Sequence, residues 1–207
     1  MTVDMAHAMA GLGVGLALAS APGPVQAVLM AEAVRGGLVR GFRAMAGANL
    51  TFGFLLIGLA LGLSVAPPSG LGLRILKVTG GGLLLWLAVD GFRSRHEVTA
   101  ASPERRSLPP AARGSLAVLL NPGAWVFLGT VASSLLSGAT RLGGPGNAVL
   151  VALALMIGLA IGDSTVVLLG GVGVRRASER VGRWVRWTLA TLLAGLGLWL
   201  MISGLFS

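Results

Sequence analysis

Apolar runs alternate along this chain with short stretches that gather nearly all of its charge. A helix needs about 20 apolar residues to cross the hydrocarbon core of a bilayer. Six runs meet or approach that length, at residues 8–31, 44–66, 72–92, 114–138, 147–174 and 187–206. The third opens with Arg74 and Lys77, whose long stems let the charges reach the interface. The pattern predicts an all-α integral membrane protein with six transmembrane helices. One connection is long, residues 93–113, with Ser102-Pro103, Pro109-Pro110 and mixed charges; it reads as a flexible linker. The chain is then a single membrane domain, 1–207, with a first three-helix half at 1–92 and a second at 114–207. Three spans per half is an odd number, so related halves must lie inverted in the membrane. A short match between Gly82-Leu83-Leu84-Leu85-Trp86-Leu87 and Gly195-Leu196-Gly197-Leu198-Trp199-Leu200 is a weak trace of that relation.

Two of the runs are interrupted. Ser20-Ala21-Pro22-Gly23-Pro24 falls inside the first and Asn121-Pro122-Gly123 inside the fourth. Proline removes a backbone donor and clashes with the preceding turn, so each helix should kink or break. In hydrocarbon such a break is tolerated only where protein or a water-filled cavity satisfies the freed groups. One interrupted helix per half is a pointer to a transporter binding site; the alternative is a pair of ordinary proline kinks. Glycines recur as small-xxx-small pairs, Gly11/Gly15, Gly58/Gly62 and Gly158/Gly162, which favour close helix packing. Gly80-Gly81-Gly82 reads as packing or as a hinge.

Composition agrees with the membrane reading. The chain has 207 residues, 55% hydrophobic and 11% charged, with a mean hydropathy of +0.86, too apolar for a soluble domain. The net charge of +9 in a soluble protein would suggest nucleic acid. Here the cations lie between spans and set topology. Arg35, Arg40, Arg43, Arg93, Arg95, Arg105, Arg106, Arg113, Arg175, Arg176, Arg180, Arg183 and Arg186 follow the odd-numbered spans; only Arg74, Lys77 and Arg141 lie opposite. That asymmetry predicts a cytoplasmic linker and both termini outside, with Trp184 and Trp187 in an aromatic belt. Ala17-Leu18-Ala19 resembles a leader cleavage site, but Asp4 and the lack of an early Lys or Arg disfavour a signal peptide.

Asp163 is the clearest chemical candidate. It is the only charged residue between Arg141 and Arg175 and falls near the middle of the fifth run. A carboxylate at that depth is costly and should face a cavity or a partner, ready to exchange a proton or to hold a substrate ammonium. The alternative is a structural carboxyl, protonated or bonded to a neighbouring helix. Gln26, Asn49 and Thr51 are neutral polar groups in apolar surroundings, ligands or interhelical glue. Asn121 precedes a proline and can bond the backbone that the break exposes. Glu32 and Asp90 lie at span ends one turn from Arg35 and Arg93, which predicts interfacial ion pairs. Candidate substrate- or ion-binding residues are therefore Pro22, Gly23, Pro24, Gln26, Asn49, Asn121, Pro122 and Asp163.

No phosphate-binding glycine loop occurs, Lys77 is the only lysine, and no metalloprotease or serine-hydrolase motif is present, which disfavours ATP-driven transport and hydrolase chemistry. With no cysteine and only His7 and His96, both outside the apolar runs, the sequence calls for no metal and no cofactor.

Six spans, the early Pro-Gly-Pro, Leu76-Lys77-x-x-Gly80…Leu85-Trp86-Leu87, a basic central loop, Asn121-Pro122 and Asp163 together resemble the LysE/RhtB amino-acid exporters. The likeness runs over nearly the whole chain. It implies a secondary transporter in a bacterial plasma membrane, exporting amino acids or related small amines and driven by the proton motive force. Relatives in the wider superfamily move metal cations, so a cation exporter is an alternative; an intramembrane enzyme using Asp163 is another. Family members commonly carry Asn-Pro-Lys at the fourth-span break. This chain has Gly123 there, so that positive charge is missing. The implied partners are a small-molecule substrate and the bilayer, not nucleic acid, with a homo-oligomer left open.

Overall fold

In the computed structural model the described residues are 5–21, 23–62, 69–93, 108–173 and 179–206, with the side chains of 90–91, 93, 179–183 and 185–186 not described. They are all-helical: α1 Met5–Ser20, α2 Pro24–Ala60, α3 Gly70–Arg93, α4 Pro110–Leu119, α5 Pro122–Phe127, α6 Ser133–Leu168 and α7 Glu179–Leu205. Two π-helical turns, Leu128–Ala132 and Leu169–Gly173, continue α5 into α6 and extend α6. Among the described residues four stretches are long and apolar enough to cross a bilayer, and α1 is a shorter apolar helix, so the six expected spans are not each matched by a separate long helix. The first and fourth runs break where the prolines predict, between Ser20 and Pro24 and between Leu119 and Pro122.

The 37 residues of α2 would make a rod of roughly 55 Å, far longer than the roughly 30 Å hydrocarbon core. It is divided at Gly37, with φ 78° and ψ −170°. The helix from Pro122 to Gly173 is divided in the same way at Gly144, φ 73° and ψ −175°. That left-handed conformation is open to glycine at no steric cost, and Pro145 pre-sets the dihedral of the turn that follows. The sequence reading ends its first two spans around a polar connection at 32–43; the structure replaces that loop with a corner one residue wide. Arg35, Arg40 and Arg43 consequently sit on helix.

Glycine brings the helices together in three pairs. Gly11 and Gly15 of α1 lie against Val151 and Leu155 of α6, and Gly158 returns the contact against Leu12. Gly47 of α2 abuts Ala111, and Gly114 of α4 abuts Ala44. Gly81 of α3 faces Gly197 of α7. Without a Cβ the backbones approach closely enough for dispersion to hold helices in lipid. Gly58/Gly62 does not join them: Gly62 lies past the end of α2 with φ 96° and open space around it. Gly80-Gly81-Gly82 stays helical, and Gly80 packs on the Leu120 carbonyl.

The broken helices run antiparallel. Glu32 lies after the first break and Arg113 before the second, yet their side chains bond at 3.1 Å. Gly23 and Asn121, at the breaks themselves, line one cavity. Leu29, Phe52, Leu128 and Leu155 centre the larger apolar core.

Candidate functional site

The two breaks and the fifth run meet around a cavity of about 260 Å³. Its polar lining is Gln26, Asn49, Asn121 and Asp163, with Gly23, Pro24 and Gly123 at the breaks. Leu18, Val25, Phe52, Val118 and Leu159 supply apolar wall. Of the eight residues that the sequence singles out, six line this one space. Pro122 is buried as the first residue of α5 and does not line it; Pro22 lies outside the described residues. Thr51, on α2, is not part of the lining.

Each break satisfies its backbone differently. At the second, the Asn121 side chain accepts from the Gly123 N–H at 3.0 Å, and Trp125 Nε1 donates to the Leu119 carbonyl at 2.7 Å. These bonds answer the orphan groups that a helix end leaves. At the first, Ser20 Oγ donates to Leu16, which serves the end of α1. The N-cap of α2 is Gly23, in extended backbone with φ −161°, and no side chain caps the turn. The amino end of α2, with its partial positive charge, is thus left open at the cavity wall.

Asp163 is 1% exposed. The carboxamides of Asn49 and Gln26 are the polar groups that face it. Both carboxyl oxygens and Asn49 Nδ2 nevertheless lack hydrogen-bond geometry to any protein partner. A buried polar group left this way costs free energy. No Lys or Arg lines the cavity among the described residues.

A second charged cluster lies away from the cavity, around Glu32. Glu32 is 2% exposed and Arg113 1%. Glu32 Oε2 accepts from Arg40 Nε at 2.6 Å and Oε1 from Arg113 Nη1 at 3.1 Å. Arg113 Nε donates to the Leu108 carbonyl at 3.0 Å, and its guanidinium stacks 5.1 Å from the Trp86 ring centroid. The interfacial pair expected between Glu32 and Arg35 is therefore replaced by a buried pair with residues farther away. The signal in the sequence was a Glu inside a helical arm with arginines on both other arms of the bundle. The Asp90 side chain lies outside the described residues.

The chain matches the LysE type translocator family over residues 16–204 and belongs to it. No curated protein and no solved structure matches it. It is thus a multi-pass membrane protein that moves a small-molecule substrate, and not an enzyme.

Proposed function

We propose that this LysE-type translocator is a secondary exporter of neutral amino acids with apolar side chains, driven by the proton motive force across a bacterial plasma membrane. The observation that carries the reading is a cavity in which a buried carboxyl with unmet oxygens faces an uncapped helix amino end. A substrate carboxylate suits the amino end of α2, and its ammonium suits Asp163. The side chain then meets Phe52, Val118 and Leu159. Lining without Lys or Arg and with one carboxyl offers no counter-charge to an acidic side chain and no second anion to a basic one. A volume of about 260 Å³ lies just under the roughly 300–1,000 Å³ of drug-sized pockets, which fits one amino acid.

The arginine asymmetry supports a cytoplasmic linker and outward termini. Two inverted halves are supported by the helix pairing. Exchanging the first three spans for the last three turns the contact of α1 with the second arm of α6 into that of α4 with the second arm of α2, and leaves α3 against α7.

The test is exchange in proteoliposomes with labelled leucine, lysine and glutamate, and with Zn²⁺ in parallel. Leucine should exchange and the others should not. Lysine exchange without leucine would overturn the side-chain assignment alone. Zn²⁺ flux with no amino-acid flux would replace the reading with the cation exporter.

A further inference from the structure

Residues 24–36 form an arm with a glycine at each end. Gly23 is extended at one side and Gly37 is left-handed at the other. The arm's first turn lines the cavity through Pro24, Val25 and Gln26. Its second half carries Glu32, which bonds Arg40 beyond the corner and Arg113 on α4. On three helices the charged residue lies beyond the cavity lining in the same direction: Glu32 six residues from Gln26, Arg113 five from Val118, and Arg40 eight from Ala48. At 1.5 Å per residue, the cluster stands roughly 8–12 Å from the cavity, toward the arginine-rich end. Val28 and Leu29, both buried, fill the space between.

We propose that residues 24–36 are the gate between the arginine-rich end and the cavity, and that Glu32 latches it to Arg113. This rests on the cavity being the transport site, as argued above. Glu32 and Arg113 are positioning residues: they hold the arm and line no part of the cavity. Three features favour a latch over a static strut. A buried ion pair contributes little net stability compared with apolar packing of the same volume, so its worth lies in specifying one arrangement. The arm can rotate about two residues whose backbones adapt without a helix being unwound. A void of about 40 Å³ flanks Glu32 and Arg113, more than one water needs, so there is room for water to solvate the charges as the pair parts. Trp86 keeps Arg113 in place when the arm leaves.

The chain has no cysteine, so one reporter can be introduced cleanly. Ala48→Cys, in the cavity wall, is reconstituted and exposed to a membrane-impermeant thiol reagent from one side at a time. With Glu32 intact, labelling from the arginine-rich side should be slow. Glu32→Gln should speed it at least tenfold from that side only, and Glu32→Asp should return it toward the starting rate. A purely structural role predicts lower thermal stability with no side-selective change in labelling, and that result overturns the gate. Should Glu32→Gln fail to fold, hydrogen exchange of the wild-type protein decides. Residues 24–36 should exchange as one unit, faster than residues 45–59 on the other arm of α2. Equal protection of the two arms overturns the proposal. Neither measurement depends on which solute is carried, so a wrong substrate assignment leaves the gate test intact.

Discussion

Asp163→Asn separates charge from packing at the centre of the site. The substitution keeps the size of the side chain, and neither carboxyl oxygen accepts a protein hydrogen bond that it would break. Folding stability should therefore hold, with an unchanged or slightly higher melting temperature in detergent. Transport should not survive. Asp163 is 1% exposed and no Lys or Arg lines the cavity among the described residues, so under the proposed function its counter-charge is the substrate ammonium. Removing one member of a buried ion pair costs about 3–5 kcal/mol. At about 1.4 kcal/mol per tenfold, affinity should fall between about a hundredfold and a few thousandfold.

The assay is flux in proteoliposomes, once as exchange at equal pH and once as net export down an imposed pH gradient. Loss of both shows that Asp163 grips the ammonium. Loss of gradient-driven export with exchange retained shows that it carries the coupling proton. Wild-type rates in both would refute any part for the charge, and would leave Asp163 a neutral structural group whose donor and acceptor Asn reproduces.

Reporter fusions at Ser207 and within residues 93–113 should fall on opposite sides of the membrane, outside and cytoplasmic respectively; a cytoplasmic C-terminus would remove the six-span orientation. Pro22 and Pro24 replaced together by alanine should leave a folded protein, since backbone bonds are restored, but should stop leucine exchange by joining α1 to α2; normal exchange would move the site elsewhere. Gly15→Leu should drive a side chain into the Leu155 carbonyl and lower stability by about 1–3 kcal/mol or more, read as a lower melting temperature; no change would mean that α1 and α6 do not pack through that face.

The parts of this molecule that could be read from sequence are those fixed by local chemistry. Proline's missing donor marked both breaks, and a lone carboxyl in an apolar run marked Asp163. The corners at Gly37 and Gly144 fall inside the connections that the apolar runs predict, at 32–43 and 139–146, but the pattern does not show that each connection narrows to a turn at one or two glycines within continuing helix. Helix ends were misplaced around Arg35 and Arg40, since arginine stems lie along apolar helix faces as readily as in loops. Glu32 was assigned its sequence neighbour. Its actual partners are 8 and 81 residues away, and only the antiparallel packing of the two broken helices brings the distant one near. Phe52 looked like any apolar residue of its span until the cavity showed which face it takes.

The unequal spacing of the two breaks makes sense only in that antiparallel arrangement. From Pro24 to the corner at Gly37 the chain has 13 residues, and from Pro110 to Leu119 it has 10. At 1.5 Å per residue both breaks then lie roughly 15–20 Å from the arginine-rich end, at one level. Parallel helices with this spacing would split the polar groups between two depths, each too small a cluster to be kept in hydrocarbon. Meeting at one level, they bring the open amino end of α2 and the closed, Asn121-capped start of α5 to the same space. On the proposed function the difference in capping gives the cavity a direction: an anionic group would be drawn to Gly23 and away from Asn121, and Asp163 would fix where the ammonium lies. A substrate bound that way would span from the arm at residues 24–36 to the fifth run, so its carboxylate would rest on the element that Glu32 restrains.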